Sequence, residues 1–312
     1  MRDPLVVNPP MPRHRLYHLL GTAALAGNRI RRLGRPYRRA RHFSSHEILR
    51  TVAYDLVVVD GWERALFNYA GASAGLGDRC IAEIGPGPAL GTGVVALWRG
   101  ARRYVALDSR PLARRPPPRL YQALLERLNE GQPAPEKVAM IQRQLALLAD
   151  GKPDRLAYVV GPQAGAAADR CDLVVSQAVL EHVRDLEGLL ERLGGAVRDD
   201  ALFVAEVDFM THTRPLRTLD PLNIYRFGPW FYGACRFDGA PTRRRPGEYL
   251  QALRLAGWTD AQLFPKAVLR EDYVRRVRPR LARAFQDPAA RMEILSAVIC
   301  ARRGMPNSRK TS

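Results

Sequence analysis

Ile81-Ala82-Glu83-Ile84-Gly85-Pro86-Gly87-Pro88-Ala89-Leu90-Gly91-Thr92-Gly93 is an apolar run that carries one carboxylate and then breaks into a glycine-rich turn before a helix-like segment. Such a break marks a first βα turn that holds a nucleotide. About twenty residues on, Tyr104-Val105-Ala106-Leu107 ends in Asp108, where an acidic side chain in such folds meets ribose hydroxyls. Two neighbouring strand ends are therefore expected to face one ligand.

The spacing narrows the ligand. A dinucleotide fingerprint wants a third glycine for close packing of the helix, and here Gly85 and Gly87 are followed by Leu90, with Gly91 one place late. Glu83, two residues before the turn, would repel a pyrophosphate but attract, directly or through water, a cationic amino group or the charge around a sulfonium. S-adenosylmethionine (SAM) carries both.

At these residues the chain resembles the class I SAM-dependent methyltransferases, whose first motif reads acidic-x-Gly-x-Gly and whose second strand ends in an acid. A third stretch, Asp172-Leu173-Val174-Val175-Ser176-Gln177-Ala178-Val179-Leu180-Glu181-His182-Val183, is similar to that family's fourth strand and following turn, where Leu-Glu-His is a frequent ending. The motifs keep the family's order, and the resemblance spans roughly residues 78 to 303. It implies an α/β, doubly wound, mostly parallel seven-stranded sheet, SAM as cofactor, and a cofactor site at Glu83, Gly85, Pro86, Gly87, Asp108, Ser109, Ser176, Gln177 and Glu181. One departure is visible: where many relatives end the third strand with a polar residue touching adenine, Tyr158 to Gly165 offers only Gln163.

With 312 residues, 46% hydrophobic and 26% charged, the chain can bury one sizeable core plus an extension. Its net charge of +18 suggests a polyanion partner until the bases are sorted: Lys137, Lys152, Lys266 and Lys310 are the four lysines and the rest are arginines, a skew that a GC-rich coding sequence produces. The charge is thus discounted as a nucleic-acid signal. Cys80, Cys171, Cys235 and Cys300 form no CxxC pair and no linear metal-ligand spacing, so buried thiols are expected and a metal is not. No apolar run reaches the length of a membrane span. Leu16 to Gly27 faintly imitates a secretory signal, but His18 and Gly21 weaken it and it starts well inside the chain. A cytoplasmic protein is expected, of bacterial type.

Residues 1–43 hold ten arginines against the single acid Asp3, half of the net charge. This basic arm would lie on anionic lipid as an amphipathic helix at the inner membrane face, pack on the domain or on a subunit partner, or stay solvated. Order is expected from Ser44, because Ser44-Ser45-His46-Glu47 has capping-box spacing. Residues 44–77 read as a helical element over the cleft, with Ile48, Val52, Leu56, Val59 and Trp62 on one face. Residues 78–305 form the α/β domain, with strands near 80–84, 104–108, 155–160, 172–176, 201–207, 259–268 and 293–302, the last antiparallel as the resemblance implies. A helix is expected over 271–286, and 306–312 reads as a disordered tail.

Ligands of open α/β sheets gather beyond the carboxyl ends of the strands. After the fifth strand come Asp208-Phe209-Met210-Thr211-His212-Thr213 and the aromatic Pro221-Leu222-Asn223-Ile224-Tyr225-Arg226-Phe227-Gly228-Pro229-Trp230-Phe231-Tyr232, longer than a connection needs. The span of about 208 to 246 reads as an acceptor lid. Transfer from a sulfonium to a hydroxyl needs alignment and one base. His212 leads as that base, with His182, Glu181 and Asp208 as partners or rivals. Arg243-Arg244-Arg245 would grip an anionic acceptor or form a solvated face.

The expected activity is SAM-dependent methylation of a small-molecule or glycan acceptor, most simply a hydroxyl. Methylation of RNA or protein is the alternative, disfavoured because (D/N)PP(Y/F) is missing; Asn8-Pro9-Pro10 runs into Met11. A non-catalytic adaptor at the cell envelope is the third reading, and its mark would be a cleft blocked by Trp230 or Phe231.

Overall fold

The computed structural model of the chain describes residues 3–33, 44–113, 117–130, 133–161 and 164–304. Gln163, the arginine-proline stretch at 114–116 and the expected tail at 306–312 lie outside them. The strands are β1 (Leu5–Val7), β2 (Cys80–Ile84), β3 (Arg103–Asp108), β4 (Leu156–Val160), β5 (Leu173–Gln177), β6 (Leu202–Asp208), β7 (Trp258–Leu269) and β8 (Ile294–Arg303). The helices are α1 (His14–Arg32), α2 (Ser45–Ala70), α3 (Gly91–Trp98), α4 (Pro118–Asn129), α5 (Pro135–Ala149), α6 (Leu186–Ala196), α7 (Arg214–Leu219), α8 (Pro229–Cys235), α9 (Pro246–Leu255) and α10 (Glu271–Val277).

The sheet order is β1-β7-β8-β6-β5-β2-β3-β4. β8 runs antiparallel to both β6 and β7, and every other pair is parallel. The seven expected strands are present and the final one is antiparallel, as anticipated. β1 makes an eighth by pairing Leu5, Val6 and Val7 with the outer edge of β7. β2 and β5, both central, are apolar along nearly their whole length, as strands covered on both faces must be.

Alternation along the strands sorts their side chains into two cores. Ile81, Tyr104, Ala106, Leu156 and Val175 face a layer built by α2, α3, α4 and α5. Ala82, Val105, Val174, Phe203 and Ala205 face α6 and α9, with Trp258 fully buried among them. A third apolar cluster, including Leu25, Leu222, Tyr225, Phe227 and Tyr273, joins the segment after β6 to α1 and α10.

α2 starts where its capping box predicts, since Ser44 accepts from the Glu47 amide and Glu47 accepts from the Ser44 amide. Its stripe of Val52, Val59, Trp62 and Leu66 is buried on the sheet, each such side chain stabilising by roughly 1.5–3 kcal/mol. Asp55 sits on that same buried stripe. α10 stops at Val277, short of the helix expected over 271–286, because Pro279 cannot continue it and 3-10 turns follow.

The arm differs most from a solvated tail. Order begins well before Ser44: α1 packs on the segment after β6, with Gly21 against Asn223 and Phe227, and Asn223 Nδ2 donating to the Tyr17 carbonyl at 2.8 Å. Among the described residues, no helix is long and apolar enough to cross a membrane. All four cysteines are free and buried, and Cys80 Sγ lies 2.9 Å from Cys171 Sγ at the amino end of the sheet.

Two helical glycines give opposite expectations. A Cβ at Gly93 would come 2.7 Å from the ring of buried Tyr104, an overlap that outweighs the gain from replacing a helical glycine. Gly61 of α2 has nothing within 4 Å of the same position. Gly93→Ala should therefore lose about 1–2 kcal/mol in urea unfolding, whereas Gly61→Ala should gain up to ~1 kcal/mol. Equal effects of the two substitutions would contradict the packing described.

Candidate active site

The turn between β2 and α3 is formed by backbone that only glycine adopts easily: φ is +71° at Gly85 and +76° at Gly87. The loop after β5 packs directly on it, because a Cβ at Gly85 would meet Val179 at 2.6 Å. At Gly87 nothing stands within 4 Å, so the outer half of the turn is open. A cleft of about 240 Å³ adjoins the turn at Gly85, lined also by Asp108, Ser109, Gly161, Val179 and Val183 among others. Asp108 presents its carboxylate to this cleft. Its Oδ1 accepts from the Arg110 amide at 3.1 Å, Tyr158 donates to Oδ2 at 3.4 Å, and burial pushes its carboxyl above the ordinary range.

Glu83 lies on the same sheet face as Asp108, one strand over, but under the turn rather than in the cleft. Its Oε2 accepts from Thr92 Oγ1 at 3.0 Å and from the Tyr104 hydroxyl. Burial raises its carboxyl to about 7, against the opposing effect of those two donors. Asp55 approaches from α2, so close to Gly91 that a side chain there would overlap its carboxylate. Burial, reinforced by Glu83, lifts Asp55 to about 8. Thr92, Tyr104 and Asp55 carried no signal in the sequence, since a tyrosine in a strand and an acid in a helix have many ordinary uses.

Ser176 is fully buried and donates to the Ile84 carbonyl at 3.2 Å, tying β5 to β2. Gln177 lines a separate cavity of about 400 Å³ between α2 and the sheet, together with Tyr54, Trp62, Glu206 and Lys266. Pro86 is half-buried in the turn.

The other candidates converge at the carboxyl ends of β5 and β6. Glu181 and His182 form a 3-10 turn after β5, and His212 follows β6, the neighbouring strand. Ligand-type atoms of these three residues all lie within 4.8 Å of one another, with His212 Nε2 3.9 Å from Glu181 Oε1. The His182 and His212 rings meet edge to face at 4.9 Å. His212 Nδ1 lies 2.9 Å from the Met210 carbonyl, which can only accept; Nδ1 therefore carries a proton, and in the neutral tautomer Nε2 bears the lone pair. Glu181 is buried, raised to about 8 by desolvation, and neither carboxylate oxygen has a hydrogen-bond partner among the described residues. Burial and the neighbouring His212 lower His182 to about 4, so its ring is neutral near pH 7. Asp208 borders this group, its charge acting on Glu181 and His182, while its own carboxylate is held by Arg217 at 2.6 Å and by the Met210 amide at 2.9 Å.

The arginine triplet works inside the protein. Arg245 is buried and donates to the carbonyls of Ala290, Arg291 and Ile294; Arg243 stacks 3.9 Å over the Tyr232 ring, and Arg244 pairs with Glu187. Trp230 is 83% exposed and Phe231 stacks on Phe227, so neither lines the cleft at Asp108.

The two buried acids under the turn make stability depend on pH. Asp55 and Glu83 hold their protons more tightly folded than unfolded, so their stabilising effect is complete below about pH 4 and is lost as pH rises through 7 to 8. Thermal melts should fall in midpoint from pH 5 to pH 9, and Asp55→Asn should flatten that fall. A variant melting curve as steep in pH as the parent's would exclude a protonated Asp55.

No protein-family model matches the chain, and comparison with characterised proteins finds none similar enough to match. Solved structures are similar at low identity. The CurJ carbon methyltransferase is 13% identical, with a TM-score of 0.44 over 92% of this chain and 67% of that one. A SAM-dependent methyltransferase from Mesorhizobium loti is 16% identical, with a TM-score of 0.41 over 78% of this chain and 100% of that one. Phosphoethanolamine N-methyltransferase 2 from Haemonchus contortus, in complex with SAM, is 10% identical, with a TM-score of 0.44 over 81% of this chain and 53% of that one. At such distance the sheet itself decides. The strand order, the antiparallel β8 between β6 and β7 and the glycine turn after β2 make a doubly wound, mostly parallel α/β sheet, the fold class that the sequence resemblance implied.

Proposed function

We propose that the chain is a SAM-dependent methyltransferase whose acceptor is a hydroxyl of a small molecule or glycan. The observation that carries this reading is the meeting, at the carboxyl ends of β2, β3, β5 and β6, of two groups of residues with complementary uses. One is an open glycine turn beside an acid suited to a ribose. The other is a Glu-His-His group with free acceptor atoms.

Gly85, Pro86, Gly87, Asp108 and Ser109 would hold the cofactor, with Asp108 accepting from ribose hydroxyls and the open backbone of Gly87 allowing close approach. When bound, SAM supplies a methyl group on a positive sulfur and leaves as a neutral thioether, so little acid catalysis is needed. Glu83 contributes from beneath the turn. Held by Thr92 and Tyr104, it fixes the strand end from which the turn springs. Activation of the acceptor oxygen falls to Glu181, His182 and His212, where Nε2 of His212 carries the lone pair. The ordered segment around 208 to 246 would close over the acceptor. The cytoplasm, with SAM at hand, is the compartment this reading requires.

Calorimetry should give SAM binding and no comparable NAD binding, with Asp108→Ala weakening SAM about tenfold or more. S-adenosylhomocysteine should appear when fractions of cell extract supply the acceptor. His212→Ala should leave SAM affinity nearly intact and lower turnover by about 10² or more. Absent SAM binding, or preference for NAD, would defeat the reading, and an unchanged rate in His212→Ala would remove that residue from the chemistry.

A further inference from the structure

We infer that Glu181, His182 and His212 form a binding site for one divalent transition-metal ion at the carboxyl ends of β5 and β6. The donor set is two imidazoles and one carboxylate, drawn from two adjacent strand ends. Three protein ligands of this kind leave coordination positions open, the arrangement of catalytic zinc, cobalt and iron sites, whereas magnesium prefers an all-oxygen shell.

Distances are close to what such an ion needs. Ligands about 2.1 Å from a shared cation stand roughly 3.0–3.5 Å from one another. Here the ligand-type atoms lie within 4.8 Å, and His212 Nε2 to Glu181 Oε1 is 3.9 Å. Closing the group by about an ångström completes the shell, within the reach of side-chain rotation.

A second observation points to a ligand independently of spacing. The Glu181 side chain is 4% exposed and aimed at His212; the amides of Glu181 and Asp208 stand near its carboxylate, but neither oxygen meets hydrogen-bond geometry with any group among the described residues. A buried carboxylate without partners is costly, and such groups are usually paired or coordinate metals. His212 is its single ion-pair partner among the described residues, and the nearby Arg217 is committed to Asp208. His182 Nδ1 is also buried without a partner.

Orientation agrees with this use. Metal-bound histidines commonly donate their other ring nitrogen to a carbonyl or carboxylate, which fixes the tautomer and raises ligand basicity. His212 does so through Nδ1 to Met210. The Glu181 backbone is anchored too, its carbonyl accepting from the Thr242 amide at 2.7 Å. Linear spacing predicts no such site, because His212 comes from a different strand end.

Binding of the ion stands apart from the methyl-transfer reading; only its use rests on that reading. The open positions suit an acceptor hydroxyl, whose proton a cation makes easier to lose. With the ion bound, His212 Nε2 is a ligand and no longer a base, so the proton passes to solvent, and the ion keeps its oxidation state.

The test titrates the full chain, freed of metal by chelator and desalting, with Co²⁺, following visible absorption and heat, and then displaces Co²⁺ with Zn²⁺. One Co²⁺ per chain is expected, with Glu181→Gln and His212→Gln each weakening it by about tenfold or more. His212 is partly exposed, so its variant should keep the parent's circular dichroism and serves where Glu181→Gln does not fold. No saturable Co²⁺ or Zn²⁺ binding up to millimolar concentration, or equal affinity in parent and His212→Gln, would overturn the site. SAM calorimetry on the same samples separates the two ideas: cobalt bound without SAM defeats methyl transfer and leaves the metal site, and SAM bound without cobalt does the reverse.

Discussion

A carboxyl group sealed in the apolar layer between a sheet and its helices is the constraint around which this structure is arranged. Glu83 ends β2 with its Oε2 held by Thr92 and Tyr104, and Asp55 arrives from α2 beside it. Two acids so close in a dry setting cannot both be charged without large cost, which is why burial lifts both toward neutrality. The knot links β2, β3, α2 and α3 through side chains that cannot move singly. It also dictates small residues nearby: Gly91 leaves room for Asp55, and Gly93 for the Tyr104 ring. The turn above, whose shape matters for any ligand, thus rests on a polar foundation rather than on apolar packing alone.

Parallel pairing then concentrates chemistry at one rim. Because β2, β3, β5 and β6 run in one direction, their carboxyl ends bring Gly85, Asp108, Glu181 and His212 to the same side of the sheet. At the opposite rim the same register brings Cys80 and Cys171 together as buried thiols. Antiparallel β8 closes the sheet on the far side of β6, and its partner β7 carries the edge to which β1 adds.

Much of the fold was legible because its signals are local. The apolar runs of β2 and β3 end at glycine or acid, and the Ser44 to Glu47 box marks the start of α2 within one residue. What escaped was non-local or weak. β1 is three residues long and gains its identity only from the edge of β7. Pro279 stops a helix that the periodicity extended to 286. The arginine triplet looked like surface, yet Arg245 satisfies three backbone carbonyls that no shorter side chain would reach. In the site, Gly85 and Asp108 could be placed from motif spacing alone. The approach of His212 to Glu181 could not, because it depends on β5 and β6 being neighbours. Asp55 and Tyr104 were illegible for the same reason, their meaning lying in what they touch.

The docking of α1 on the segment after β6 divides the molecule into parts with different freedom to change. Beneath the turn, nearly every substitution disturbs a shared polar contact. At the interface of Tyr17, Gly21 and Leu25 with Asn223 and Phe227, apolar contacts surround a separate buried polar network of Asn223, Asp220, Arg226 and Tyr273. Residue changes there can alter how the amino-terminal helix seats on the segment after β6 through contacts distinct from those of the knot beneath the turn.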